Sequence, residues 1–357
     1  MNVAYAAQQA LFAEVGRESD CGAPLNAVVW AGSHAAFAAG DGTVRFRSAT
    51  FGDAGVVDAH RGAVLCAAVD VAGSGIVSGG DDGRLVHSRP DGASEVLAET
   101  GGKWIEHVAV APWGALAWSY GRNVEVRIEG RGKKAGVSRV YELPSSCGGL
   151  AFAPKGQRLA VAHYGGVTLH WVSEEKAEPV RLPWKGSHIA ITWSPDGRFI
   201  MTAMQESSIH GWRLSDKNDM QMSGFPAKPR SLSWSRKGDW LATSGAPAAV
   251  LWPFKGKDGP MGKDATERGQ RAYLTSAVAF HPTSNTVAAG YTNGEIALLR
   301  VSDEKELTVR PREARDAQPI SVLAWSPDGR HLGYGTDGGK FGIIDTGKWR
   351  KDTGREP

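Results

Sequence analysis

WSPDGRFIMTA (Trp193–Ala203) and WSPDGRHLGYG (Trp325–Gly335) are nearly the same phrase, set 325 − 193 = 132 positions apart. A phrase repeated at such a distance suggests an array, so further copies are expected at a fixed shorter period. Superposing the chain on the residue that ends the first apolar run of each copy gives Trp30, Val69, Val110, Phe152, Trp193, Trp234, Phe280 and Trp325, at intervals of 39 to 46 residues. Each copy continues alike, with a polar turn (SPDG, APKG, SRKG, HPTSN), a second apolar run, a Gly/Asp/Asn turn and a third run. Short β-rich runs between such turns read as strands, and beyond the first twenty residues nothing keeps helical period.

The first run of each copy has two faces. Positions zero and minus two are bulky in nearly every copy, whereas position minus one is Val29, Ala68, Ala109, Ala151, Thr192, Ser233, Ala279 and Ala324. Alternation with period two is the mark of a strand. A small face repeated eight times points to strands converging where space is scarce, as at the axis of a radial array.

About 41 residues per copy, with four strands each, is the dimension of a propeller blade. Across residues 24–346 the chain resembles the WD-repeat β-propeller family. The resemblance rests on the first-strand and turn pattern, on IVSGGDDGRLVHS (Ile76–Ser88), on DGTVRF (Asp41–Phe46), and on Trp171, Trp212 and Trp252 ending third strands. It departs from the family pattern in having no Trp-Asp dipeptide. The family's His, Ser, Asp and Trp network is nearly complete in the second unit alone (His60, Ser78, Asp82), where Ser88 stands at the Trp position. WSPDGR also recurs in periplasmic Tol-type and peptidase-type propellers. The N-terminus carries no basic leader, and Asp-Gly turns precede third strands, which favours the WD-repeat reading. The expectation is an all-β propeller of four-stranded antiparallel blades, eight in number with seven as the alternative. Its ring is closed by a strand from residues 1–23 unless AYAAQQALFAEVG forms a short helix on a face. Residues 347–357 form a basic tail.

Chemistry is sparse. SPDG is a turn by composition: Pro presets φ, Asp bonds its own backbone, and Gly accepts positive φ. Asp196 and Asp328, like Asp41, Asp82 and Asp337, are therefore read as turn residues. DDG at Asp81–Gly83 lacks the spacing of a calcium loop, and phosphate-loop, zincin and nucleophile-elbow motifs do not occur. Three cysteines without CxxC suggest neither disulfides nor zinc. Among the inward positions only His107 ionises, with Cys66 a small buried neighbour, too little for a metal site or an acid/base pair. No cofactor is expected.

The loops entering first strands and those joining second to third strands share one rim by the family's geometry. On it fall His60, Arg61, Trp104, Glu106, Tyr120 and Tyr164, followed by Trp184, Lys185, His188, Arg230, Tyr273 and Tyr291. Aromatic and Arg residues interleaved on one face have the composition of protein-interface hot spots, and Trp104 and Trp184 are expected to be the most exposed. A net charge of +3, from 41 basic and 38 acidic residues, implies no polyanion partner, and no stretch is apolar enough to span a bilayer. The insertions RGKK (Arg131–Lys134) and Lys255–Arg271 read as solvated outer connections. The resemblance implies a cytoplasmic, monomeric, non-catalytic scaffold for an unidentified protein or peptide. An axial-mouth enzyme or metal or small-ligand site, and a nucleic-acid binder, are the alternatives.

Overall fold

In the computed structural model, residues 3–129, 136–174, 176–313 and 316–347 are described, and Arg131–Lys134 and nearly all of the tail lie outside them. Within them, thirty strands pair into seven antiparallel sheets, six of four strands and one of six. In the sheets Leu25–Asp58, Val64–Glu99 and Ile105–Glu142 the strands follow chain order, so each sheet is a simple meander. The chain is an all-β propeller with four-stranded antiparallel blades.

Eight separate sheets are not what forms. The strand segments Arg158–Trp171 and Val180–Trp193 are each fourteen residues long, and the first folds back at Gly165 and Gly166, so that Val172 N–H donates to Gln157 O at 3.0 Å. The strand Cys147–Phe152 pairs with the first half of Arg158–Trp171, from Cys147↔His163 to Phe152↔Leu159. The second half pairs with the start of Val180–Trp193, from Tyr164↔Ser187 to Leu169↔Val180. The end of Val180–Trp193 then pairs with Phe199–Met204. The fourth and fifth repeat units thus share one continuous sheet, and the sheet count is seven. The first-strand runs of the units lie beside one another round an axis, with Ile320–Trp325 next to Leu25–Ala31.

The N-terminal segment is both helix and strand. Val3–Val15 is helical and lays Leu11, Phe12 and Val15 on the apolar cluster of the last two units. Gly16–Asp20 then pairs antiparallel with Lys340–Asp345, from Gly16↔Ile344 to Asp20↔Lys340, as the outermost strand of the last sheet.

The repeated phrase joins blades. The indole Nε1 of Trp30 donates to Ala324 O, that of Trp193 to Ala151 O and that of Trp325 to Ala279 O, each at 3.0 Å. In each case position zero of one unit reaches the carbonyl at position minus one of the preceding unit. The small residues at position minus one leave room for that ring. The turns also repeat atom for atom: Ser194 Oγ donates to Asp196 Oδ1 and accepts from Phe199 N, and Ser326 Oγ does the same with Asp328 and His331. Gly197 and Gly329 sit at φ +77° and +71°, where a side chain would be strained. Trp234 departs from the pattern, since its buried Nε1 has no hydrogen-bond partner among the described residues and its ring meets Phe254 edge-on at 4.6 Å. Trp193→Phe is therefore expected to cost about 1 kcal/mol or more, through the lost bond and an abandoned buried carbonyl. Trp234→Phe, which removes an unsatisfied donor, should be near neutral or stabilising. Urea denaturation of the two variants measures the difference, and equal losses would contradict the inter-blade role of the indole bond.

Lys255–Arg271 is more than a solvated connection. Met261 and Ala265 pack on the apolar cluster around Phe199 and Phe254, Thr266–Arg268 is the outer strand of its blade, and Arg271 pairs with Glu295 at 3.0 Å and Glu306 at 2.9 Å.

Candidate functional site

All first strands start at one end of the axis. Second strands run antiparallel to them, so the turns between second and third strands return to that same end, which is therefore a mouth lined by both loop sets. A cavity of about 620 Å³ opens there, within the size range of ligand sites. The strand starts near Asn26, Ser231, Thr275 and Ser321 line it, and Lys228, Arg230 and Asp337 bring charge to it.

Most of its polar lining is already committed to holding the inner ring together. Ser321 Oγ donates to Leu25 O at 2.7 Å and Asn26 Nδ2 to Val64 O at 2.7 Å, each crossing to the next unit. Ser231 Oγ donates to Val278 O at 3.1 Å and accepts from Val278 N at 3.0 Å. Thr275 Oγ1, on a residue 1% exposed, has no hydrogen-bond partner among the described residues. Burial pushes the Asp337 carboxyl up, and the Arg230 guanidinium pulls it part of the way back. The cavity thus offers two cations and one carboxylate of reduced acidity. Among the described residues no group of three or more His, Cys, Asp or Glu side chains is placed to hold a metal ion.

The rim residues named from sequence divide by burial. Trp104 is 57% exposed, Tyr164 56% and Tyr273 43%. Arg61, Glu106, Lys185 and Arg230 are exposed as well, and Tyr120 is half-buried with Lys103 Nζ 6.0 Å from its ring centroid. Ile105↔Tyr120 pairing sets Trp104 and Tyr120 side by side at the mouth end of the third unit, and Tyr164 occupies the corresponding turn of the fourth. This aromatic arc over the third and fourth units lies across the axis from the cavity, which is lined largely by the last three units and the first.

Three rim residues are core instead. His60 Nδ1 bonds Asp82 Oδ1 at 3.0 Å and its Nε2 bonds Ser78 Oγ at 2.9 Å, so the family network of the second unit is formed. Burial lowers the pKa of its imidazole, with the Asp82 hydrogen bond acting against that. His188 is 1% exposed, bonding Thr202 Oγ1 at 2.7 Å and Trp184 O at 3.2 Å. Tyr291 is fully buried and its hydroxyl donates to Gly269 O at 2.6 Å. Trp184, expected in the open, is half-buried and stacks on His210 at 3.8 Å.

On the axis, His107 and Cys66 stay apart from the cavity lining. Burial pushes the Cys66 thiol up to about 12, against the direction that activates a cysteine. Burial depresses the His107 imidazole, partly offset by a hydrogen bond with the Cys147 backbone. Sequence reading missed Thr275 and the place of Asp337 in the cavity. Asp337 does sit in a turn, its N–H bonded to Pro319 O at 3.0 Å. The signal for its second role was available, because every turn between second and third strands ends at the mouth.

Two families match the chain. The WD domain, G-beta repeat, matches residues 53–86, the unit that holds His60, Ser78 and Asp82. The anaphase-promoting complex subunit 4 WD40 domain matches residues 278–351. The ribosome biogenesis protein erb1 of Schizosaccharomyces pombe is 26% identical over 237 residues, which is 63% of this chain and 27% of that protein, so the match spans about a quarter of the relative's length. A crystal structure of the computationally designed Ika8 protein superposes with a TM-score of 0.70 at 14% identity, covering 92% of this chain and 98% of that one, a likeness of fold alone. Blade architecture, the formed His–Ser–Asp network and these matches together support a WD-repeat β-propeller family.

Proposed function

We propose that the chain is a rigid platform that receives an extended segment of another protein across its mouth-side face. An acidic side chain of that segment meets Lys228 and Arg230 in the cavity, and apolar side chains rest on Trp104, Tyr120 and Tyr164. The observation that carries this reading is the pairing of exposed aromatics on one side of the axis with an open cationic cavity on the other. Exposed aromatic and Arg residues are the side chains from which binding hot spots are built. The family is generally one of non-catalytic scaffolds. Glu106 and Asp337 interrupt the positive charge, which disfavours a nucleic-acid backbone as occupant. We also infer that pairing of Gly16–Asp20 with the last sheet is what keeps the ring shut and the platform rigid.

Similarity to a ribosome biogenesis protein supports a partner from a ribosome-assembly setting, and a nuclear or nucleolar location over the plain cytoplasm. Among the described residues no helix is long and apolar enough to cross a membrane. Affinity capture with the wild type, Trp104→Ala, Arg230→Glu and, as control, Val56→Ala on an outer strand tests the face. A specific protein partner should be recovered by the wild type and the control and fall at least tenfold with both face variants. Equal recovery by all four would sink the assignment of this face.

A further inference from the structure

At the other end of the axis the seam between the second and third units lacks the plug that closes other seams. Position zero of the third unit is Val110, where Trp193 and Trp325 stand in theirs. Those tryptophans pack on the preceding unit, Trp193 among Ala160, Val167 and Leu169 and Trp325 against Ala288 and Leu298. At the third unit the buried Trp118, from the second strand, fills only the part of the seam nearer the mouth, since it pairs with Val108 rather than Val110. Below it a cavity of about 500 Å³ is left open, with Val77, Leu97, Val110 and Leu116 as its apolar walls. The Val69 seam, which also lacks an aromatic at position zero, is filled instead by Phe46 packed with Ile76.

The turn beside this cavity also breaks the repeat. Where other units read SPDG or SRKG, the second reads Asp-Val-Ala-Gly-Ser-Gly (Asp70–Gly75), and Val71 stands 44% exposed at the cavity edge. The charge around it is acidic. Asp70, Glu95 and Glu129 line the cavity, and Glu95 and Glu129 are exposed and take part in no ion pair among the described residues. Among the described residues the one lysine or arginine in the lining, Arg127, is already neutralised by Glu125 at 3.1 Å, donates to Leu97 O at 2.7 Å and stacks on Trp118. His87 is held by Asp70 at 2.9 Å. This is a locally negative opening in a chain of net charge +3.

We propose that this seam is a second docking site, on the face away from the mouth, for a partner-protein segment that presents an aromatic ring flanked by basic residues. The ring takes the place of the missing tryptophan between Leu97 and Leu116, and the flanking ammonium or guanidinium groups meet Glu95 and Glu129. Shape selects the ring, because the cavity is the space that an indole occupies in sister seams. Charge selects the flanks, and the attraction is screened by salt because both carboxylates are exposed.

Titration calorimetry of the full chain with the synthetic peptide acetyl-Gly-Lys-Trp-Lys-Gly-amide tests this. Saturable binding is expected, at least tenfold weaker for the peptides with Ala in place of Trp or Glu in place of both Lys, and weakened by added salt. Val110→Trp, which refills the seam from within, should abolish binding. Glu129→Lys, at an exposed position that leaves folding intact, should weaken it at least tenfold. Trp104→Ala should leave it unchanged, which separates this site from the mouth. Absence of saturable binding, equal binding of the three peptides, binding unaffected by Glu129→Lys, or loss of binding in Trp104→Ala would each overturn the proposal.

Discussion

Replacing Arg310 with Ala is expected to destabilise the fold by about 3–5 kcal/mol, the usual loss when one member of a buried ion cluster is removed and its partners stay behind. The Arg310 side chain is 3% exposed, and its Nη2 lies 2.7 Å from both Glu18 Oε2 and Glu313 Oε1. Its Nη1 donates to Gly294 O, and its guanidinium lies 5.3 Å from the centroid of the Tyr334 ring. The Tyr334 hydroxyl donates to Glu18 Oε2 at 2.7 Å. Glu18 belongs to the N-terminal strand, Arg310 to the outer strand of the seventh unit, and Tyr334 to the last sheet, so one cation ties the seventh unit to the sheet that holds the N-terminal strand. Among the described residues, Glu18 is then left with the Tyr334 phenol and Glu313 with Lys340, at 3.2 Å. Thermal melts should show a drop on the order of 5–10 °C for a domain of this size. Hydrogen exchange should show Gly16–Asp20 losing protection before the inner strands. The double variant Arg310→Met with Glu18→Met, which removes charge from both sides, should recover part of the loss. A loss under about 1 kcal/mol with Gly16–Asp20 still protected would mean that main-chain pairing alone holds the N-terminal strand.

The parts of this molecule that sequence made legible are those where one unit repeats another. Eight first-strand runs, the SPDG turns and the His60–Ser78–Asp82 network are local patterns, and each forms as read. What escaped was set by relations between units. The shared six-stranded sheet runs through Arg158–Trp171, which turns back at Gly165 and Gly166 (φ +91° and +136°) so that Val172 N–H reaches Gln157 O at 3.0 Å, and through Val180–Trp193, and a count of repeats cannot register that. His188 and Tyr291 were assigned to the rim by their place in a loop, yet each side chain turns inward to a partner, Thr202 Oγ1 and Gly269 O, that no spacing reveals. Trp184 found a stacking partner in His210, some 26 residues away in sequence, which position in a loop does not predict. The empty seam was written in the sequence as Val110 in a column otherwise mostly aromatic. It became meaningful only once the indoles of Trp193 and Trp325 were seen to bridge to the preceding unit.

Stability should fall steeply as pH drops from about 6.5 toward 4, because five buried or half-buried histidines are held in neutral form. Desolvation lowers the pKa values of His60, His107 and His188, and takes His170 down to about 4 and His210 to about 3. His170 stacks on Tyr141 at 4.1 Å and also feels His163. His210 lies between Trp184 at 3.8 Å and Trp212 at 4.7 Å, with His188 nearby. Asp219 is 3.5 Å from His210 but half exposed, and its attraction does not offset the burial. A group whose folded pKa lies below its unfolded value binds fewer protons in the native state. Its stabilisation is therefore complete above pH 6.5 and is lost as pH falls toward the folded pKa. At pH 5 His170 and His210 alone contribute a slope of roughly 2 kcal/mol per pH unit or slightly more, since nearly two protons separate the folded and unfolded states there. Asp196 and Asp328 add to the loss below pH 4: burial would raise their carboxyls, but the turn hydrogen bonds from Ser194 and Ser326 help to hold them low. Asp337, whose pKa is raised, works in the opposite sense and is outnumbered. Urea denaturation at pH 7.5, 6.5, 5.5 and 5.0 should give a plateau followed by this descent. The double variant His170→Phe with His210→Phe keeps both ring stacks and removes both protons, so its slope at pH 5 should be shallower by roughly 2 kcal/mol per unit or slightly more. If the variant and wild-type profiles run parallel through this range, these two imidazoles are not the source of the acid sensitivity.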